Sequence, residues 1–248
     1  MSIHYENAPI SEALIDIRVH FPNALSLEAL ESMHAPIQDV YPRKEKRSYL
    51  QGQFSMGDAV GAVATQTQVG FAFSSTDGKQ IVQARLDGFT FSRLKPYGTW
   101  QTLREESRRL WGIYRTLVPA AKIARVAVRY VNQIDIPLKS IDYKDYFRTT
   151  PEVSPVLPQG LSGFFMQLQF PQPDLNGMLI LTQTTIPAAS PDQSSVILDL
   201  DVFKPIPQEI SEEALWRELE NLRHRKNEFF EGCITEKTRE LFGKKEVY

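Results

Sequence analysis

The sequence predicts an α+β protein built from two pseudo-repeats of β-α-β-β-β-α. Antiparallel, curved sheet is expected, packed by long amphipathic helices. Three observations predict this. Several short stretches alternate apolar and polar residues with period two, the mark of half-buried strands. Two longer stretches carry apolar residues at helical spacing, so each has one face to bury. The order of these stretches then repeats after about 110–120 residues, too long for a solenoid and suited to a duplicated half.

In the first half, Pro9 biases Ala8 to an extended shape. Ala13, Ile15, Ile17, Val19 and Phe21 then alternate with Asp16, Arg18 and His20, giving a strand over 13–21 that Pro22-Asn23 ends. Ser26 caps a helix over 26–35, with Leu25 and Leu30 placed as a hydrophobic staple. Arg43, Lys44, Lys46 and Arg47 form a basic run that reads as a solvated loop. Strand patterns follow at 49–54, 69–73 and 81–94. Asp77-Gly78 signals a hairpin, because both residues tolerate positive φ. The alternation of 81–94 breaks at Asp87-Gly88, as a bulge or as a second tight turn. Thr99 caps a long helix over 100–118, with a stripe of Leu103, Leu110, Trp111, Tyr114 and Leu117, and Pro119 stops it.

The second half opens on the longest strand pattern, 123–136, closed by Pro137. Ala124, Val126, Val128 and Tyr130 take one face; Arg125, Arg129, Gln133 and Asp135 take the other. A short helix is expected at 141–147. Three prolines and a glycine make 151–160 a loop. Strands follow at 164–170, 178–186 and 196–203, and Asn176-Gly177 signals another hairpin. Ser211 opens the last long helix, whose stripe is Leu215, Leu219, Leu222, Phe229 and Phe230. Gly232 is expected to break or kink it before 234–242 resumes.

The halves are drawn at 1–119 and 120–248. Ile15-Asp16-Ile17 echoes Ile134-Asp135-Ile136, and Lys95-Pro96 echoes Lys204-Pro205. The implied shape is like half of a TATA-binding-protein-like or helix-grip architecture. That analogy concerns shape and carries no function.

Composition excludes several classes. With 42% hydrophobic and 23% charged residues the chain is an ordinary globular mixture. A net charge of −2 supplies no global field to draw nucleic acid or an anionic membrane. Cys233 is the sole cysteine, so no internal disulfide can form and a reducing cytoplasm is expected. Glu6, Glu12 and Asp16 interrupt the N-terminal stretch, which does not read as a signal peptide. No apolar run is long enough to span a membrane.

Candidate chemistry gathers on the first strand of each half. Glu12, Asp16, Arg18 and His20 share one polar face; Arg125, Arg129, Gln133 and Asp135 share the other. Side by side, such strands could form a groove in which Arg18 or Arg129 grips an anion. The same residues also suit cross-strand ion pairing. The candidate ligand-binding set is Asp16, Arg18, Arg129, Gln133 and Asp135. Asp16 and Asp135 are the carboxylates an enzyme would use. Asn132 falls on the apolar side and needs hydrogen-bond partners. Asp199 and Asp201 share a strand face, as solvated residues or as Mg²⁺ ligands. His4, His20, His34 and His224 lack ligand spacing, so no metal and no cofactor are expected. Cys233 has no base beside it in the sequence. Neither a P-loop nor a dinucleotide fingerprint is present. Phe71, Phe73, Phe89 and Phe91 suit a core, or the wedges of a minor-groove binder.

Three stretches read together: Asn7-Ala8-Pro9-Ile10 running into Glu12-Ala13-Leu14-Ile15-Asp16-Ile17-Arg18-Val19; Arg129-Tyr130-Val131-Asn132-Gln133-Ile134-Asp135-Ile136-Pro137; and Phe230-Glu231-Gly232-Cys233-Ile234-Thr235-Glu236-Lys237-Thr238-Arg239-Glu240-Leu241-Phe242. On these the chain resembles a sporadically distributed family of uncharacterised prokaryotic proteins of similar length. The resemblance implies a bacterial or archaeal source and brings no catalytic residue. Patchy distribution of that kind accompanies mobile, defence or toxin-neutralising loci. The expected function is a non-enzymatic binding or regulatory protein of such a locus. The alternatives are a small anionic ligand binder using a groove between the repeats, and an enzyme using Asp16 and Asp135. Expected partners are another protein, a small anionic ligand or a second copy of the chain, with neither nucleic acid nor membrane.

Overall fold

A computed structural model of the chain describes residues 4–21, 26–55 and 61–245. The elements run β1 (His4–Tyr5), β2 (Ile10–His20), α1 (Leu27–Glu31), β3 (Arg43–Ser55), β4 (Gly61–Ser74), β5 (Gln80–Arg85), β6 (Gly88–Leu94) and α2 (Trp100–Leu117). They continue with β7 (Lys122–Ile136), α3 (Tyr143–Tyr146), β8 (Phe165–Gln172), β9 (Gly177–Ile186), β10 (Ser194–Pro205), α4 (Glu212–Cys233), α5 (Glu236–Leu241) and β11 (Lys244–Lys245). The protein is α+β. Nine strands form one antiparallel sheet in the order β3-β4-β5-β6-β2-β7-β10-β9-β8, and β1 pairs with β11. The turn at Pro22-Asn23 and the staple residue Leu25 lie outside the described residues.

The chain resolves into two units. One comprises Ile15–Arg93 and Gly98–Arg125; the other comprises Met1–Leu14, Leu94–Tyr97 and Val126–Tyr248. They are called the α2 unit and the α4 unit after their long helices.

In the α2 unit the alternation of β2 sends Ile15, Ile17 and Val19 into the core. Leu103, Leu110, Trp111 and Tyr114 from α2 are buried, and Phe89 meets Trp111 edge-on at 5.9 Å. Phe71, Phe73, Phe89 and Phe91 are all buried, so these four rings serve the core and are not wedges for a base step. Thr99 caps α2 by accepting from the Thr102 N–H. The hairpin at Asp77-Gly78 forms between β4 and β5; Gly78 has φ +70 and Asp77 accepts from the Lys79 N–H.

Two expectations for this unit are corrected. The basic run lies in β3, not in a loop: Arg43 stands opposite Ser74 in the β4 ladder and Lys46 opposite Phe71. Charged side chains are tolerated there because β3 is an edge strand and residues 43–50 are exposed. The irregularity at Asp87-Gly88 is a tight turn, so 81–94 is two strands, and four strands rather than three separate α1 from α2. Gly88 is required: a Cβ there would sit 2.4 Å from the Ile17 carbonyl oxygen of β2.

In the α4 unit, Val126, Val128, Tyr130, Ile134 and Ile136 of β7 face the core. Val196, Leu198, Leu200 and Val202 of β10 join them, and α4 packs on β10 with Leu215, Trp216, Leu219 and Leu222 buried. Ser211 caps α4, and Glu212 and Glu213 fill its first turn as the helix dipole favours. The last long helix ends at Cys233, one residue past Gly232, and α5 resumes at Glu236, so the expected break falls beside Gly232. Asn176 adopts φ +48 just before β9, closing the β8–β9 connection. No helix among the described residues is long and apolar enough to cross a membrane.

Candidate functional site

Because Ile15 and Ile17 point into the core, Asp16 and Arg18 stand on the opposite face of β2. The β5–β6 turn brings Arg85, Asp87 and Thr90 to the same place. Asp16 is buried and accepts from Arg85 Nη2 at 2.7 Å and Thr90 Oγ1 at 2.7 Å. Arg18 Nε at 3.1 Å and Arg125 Nη1 at 3.2 Å complete its shell. Asp87 accepts from Arg85 Nε at 3.0 Å and from Arg18 Nη1. Burial pushes the Asp16 carboxyl up, but the Arg85 and Arg18 charges and the Thr90 and Arg85 hydrogen bonds outweigh it. The net result holds Asp16 below its ordinary value. The sequence reading paired Asp16 with Arg18 but missed Arg85 and Thr90. Their one signal was the broken alternation around Asp87-Gly88.

The other three predicted residues lie on β7, in the α4 unit. Arg129 is half-exposed and grips Asp199 of β10 with two parallel bonds: Nε to Oδ1 at 2.9 Å and Nη2 to Oδ2 at 2.6 Å. Those hydrogen bonds, against partial burial, raise the Arg129 pKa above its ordinary value. Asp199 is 7% exposed, so it is a buried partner of Arg129 and not the outward, solvated carboxylate its strand position suggested. Gln133 Nε2 donates to Asp135 Oδ1 at 3.1 Å, and Ser195 Oγ donates to the same oxygen at 2.6 Å. The five predicted residues therefore fall into three bonded groups: Asp16 with Arg18, Gln133 with Asp135, and Arg129 with Asp199. Asn132 is buried, as its parity required, and donates to the Leu198 carbonyl at 3.0 Å.

A cavity of about 770 Å³ opens in the α4 unit beside Ser195. The segment after β7, helix α3, the proline-rich loop and the ends of β9 and β10 enclose it. Its charged lining is Lys139, Lys144, Asp142 and Glu152, with hydroxyls such as Ser162 and Thr150 between them. Ser194 Oγ donates to the Leu138 carbonyl at 2.8 Å and ties the segment after β7 to β10. Gln159 Nε2 donates to the Leu157 carbonyl at 2.7 Å and to the Ser154 carbonyl at 3.0 Å, which holds the proline-rich loop closed. Asp142 accepts from the Lys144 N–H and caps α3. Residues 151–160 form the loop that their prolines and glycine predict, and no motif within them points to a binding role. A long irregular connection between strands was the available signal.

Other reactive side chains are withdrawn. Cys233 is buried, which pushes its thiol up to about 11 and leaves it protonated and inert. His34 stacks on Phe73 at 5.1 Å and bonds the Tyr41 carbonyl. Among the described residues no group of three His, Cys, Asp or Glu could hold a metal ion. Three arginines of α4 are engaged too: Arg223 with Glu220, Arg225 with Asp174, and Arg217 with Glu213. No protein-family model matches the chain, and no curated protein matches it.

Proposed function

We propose that this is a binding protein rather than a catalyst, and that it takes a small anionic ligand in the α4-unit cavity. One observation carries the reading. Lys139 and Lys144 line that cavity and neither joins an ion pair among the described residues, whereas the arginines of the two strand faces all hold carboxylates. A volume of about 770 Å³ suits a metabolite-sized molecule. The hydroxyl and carboxamide lining suits a polar one, such as a phosphorylated or carboxylated metabolite. A ligand bound at Arg18 or Arg129 would first have to displace Asp16 and Asp87, or Asp199.

An enzyme using Asp16 and Asp135 is disfavoured at Asp16, on tuning. General acid–base work needs a pKa near the working pH, and the guanidinia hold Asp16 away from it. The role of partner protein in a defence-type locus rests on the family resemblance alone. The duplicated β-α-β-β-β-α plan draws support from the strand order: outward from β2 the sheet runs β6, β5, β4, β3, and outward from β7 it runs β10, β9, β8. On that plan β3 is the one strand of the nine without a counterpart among the described residues.

Thermal-shift measurements with inorganic phosphate, nucleotides and dicarboxylates test the ligand reading. A binder at a hundred times its Kd stabilises by about 2.7 kcal/mol. Lys139→Ala with Lys144→Ala should abolish that shift and leave the unliganded melting temperature unchanged. Flat responses across the panel would overturn the reading.

A further inference from the structure

We propose that β8 is a docking edge for a second copy of this chain, paired antiparallel about a two-fold axis at Gln167. The inference is independent of the ligand cavity.

β8 ends the sheet and, among the described residues, pairs with β9 alone. The Thr185 N–H donates to the Phe164 carbonyl at 3.1 Å, so Phe164 turns its backbone toward β9. Backbone direction alternates along an antiparallel strand, so Phe165, Gln167 and Gln169 turn their N–H and C=O groups away from β9. Pro171 is next in that outward series. It has no N–H and ends the donor row, the position a proline takes on an edge strand.

The side chains are as open as the backbone. Phe165 is 70% exposed and Phe170 40%. No residue in 153–173 is charged. Edge strands are ordinarily protected by charge or by a bulge. The opposite edge, β3, has both, with Arg43, Lys44, Glu45, Lys46 and Arg47 along it and a register shift between Arg47 and Ser48. β8 has neither.

The sequence of β8 fits itself. With the two-fold at Gln167, Phe165 of one copy bonds Gln169 of the other and Gln167 bonds Gln167, for about six backbone hydrogen bonds. On the face shared with the core, Met166 meets Leu168 and Phe164 meets Phe170, apolar against apolar in every pair. On the other face the Gln167 carboxamides meet at the axis. A two-fold sets each residue near its own copy or a close neighbour, so any charge in this strip would meet a like charge. The strip has none. That charge pattern selects a second copy as the occupant.

Sedimentation of the full chain over a range of concentrations tests the proposal. The wild-type chain should show a reversible monomer–dimer equilibrium. Gln167→Lys and Gln167→Glu should each weaken it by about tenfold or more, since like charges stand directly opposite. Mixing the two variants should restore dimers, because the charges then complement. Both changes sit on an exposed outward position and should leave the melting temperature of dilute protein unaltered; if the lysine variant fails to fold, Gln167→Arg replaces it, and if the glutamate variant fails, Gln167→Asp does. As a second readout, amide exchange at Phe165, Gln167 and Gln169 should slow as concentration rises. A wild-type chain that stays monomeric at every concentration overturns the proposal. So does a dimer equally strong in both charged variants.

Discussion

Asp16 and Lys226 are both nearly inaccessible charged residues, and the protein treats them in opposite ways. Asp16, in the α2 unit, accepts from three guanidinia and a hydroxyl, and stays ionised below its ordinary value. Lys226, in the α4 unit, is 7% exposed and its ammonium lies 3.7 Å from the centre of the Tyr130 ring. No carboxylate bonds it among the described residues. Burial first, and then the neighbouring Arg223 charge, lower its pKa to about 7, with Glu231 opposing weakly. An aromatic face contributes about 2 kcal/mol or somewhat more to holding a desolvated cation, less than a hydrogen-bonded counter-ion does. Burial alone therefore does not decide whether a charge survives in this fold. The number and geometry of its donors or acceptors decide it.

That contrast can be broken from either end. Asp16→Ala should have the largest effect, a loss of about 3 kcal/mol in urea unfolding, because it leaves the buried Arg85 guanidinium with the half-exposed Asp87 as its remaining carboxylate. The sign of its pH dependence follows from the lowered carboxyl. The Asp16 contribution is present above its unfolded value of about 4 and is lost as pH falls through the lower folded value. The gap between wild type and variant should therefore close in acid.

Lys226→Met should run the other way and stabilise, by about 1–4 kcal/mol at neutral pH or below. Between pH about 7 and the ordinary lysine value, the unfolded chain binds a proton that the folded chain does not. Wild-type stability attributable to this residue rises with pH across that window, and the advantage of methionine shrinks. Unfolding titrations of both proteins from neutral to alkaline pH read this directly.

The smallest case is neutral. Gln183 is buried and its Nε2 has no hydrogen-bond partner among the described residues. Gln183→Met should stabilise by about 1 kcal/mol, by removing an unpaired amide of similar volume. A loss of stability on thermal melting would show that the amide is satisfied in solution.

Local signals in the sequence were read well where the chemistry itself is local. Thr99 and Ser211 cap the helices they were expected to cap, and Asp77-Gly78 turns the hairpin it was expected to turn. The alternation of 123–136 placed Tyr130 and Asn132 in the core and Arg129 outside it. The reading weakened where a local pattern has two solutions. Arg43, Lys44, Lys46 and Arg47 suit a loop or an edge strand equally well, and the ladder with β4 chose the strand. Asp87-Gly88 suits a bulge or a turn, and the close approach of Gly88 to the Ile17 carbonyl belongs to the turn.

The candidate site was legible only in half. Asp16 and Arg18 are two residues apart on one strand, so period-two geometry alone brings them together. Arg85 is 69 positions from Asp16, and Asp199 is 70 from Arg129. No periodicity links residues at such separations; only strand pairing does. The cavity around Lys139 and Lys144 is further from legibility, because its walls come from irregular segments whose path is set by long-range bonds such as Ser194 to Leu138.

By itself the sequence determined the α+β class, the positions of the long helices, the faces of β2 and β7, and an uncharged strip on β8. Each is a property of spacing or composition within one segment, governed by backbone geometry and the burial of apolar side chains. Tertiary structure decided which guanidinium meets which carboxylate. It left Lys226 with an aromatic ring and Asp16 with four donors, and it set the uncharged strip on an open edge. Those outcomes depend on strand order and register, which bring distant residues within 3 Å and are encoded in no single stretch of the chain.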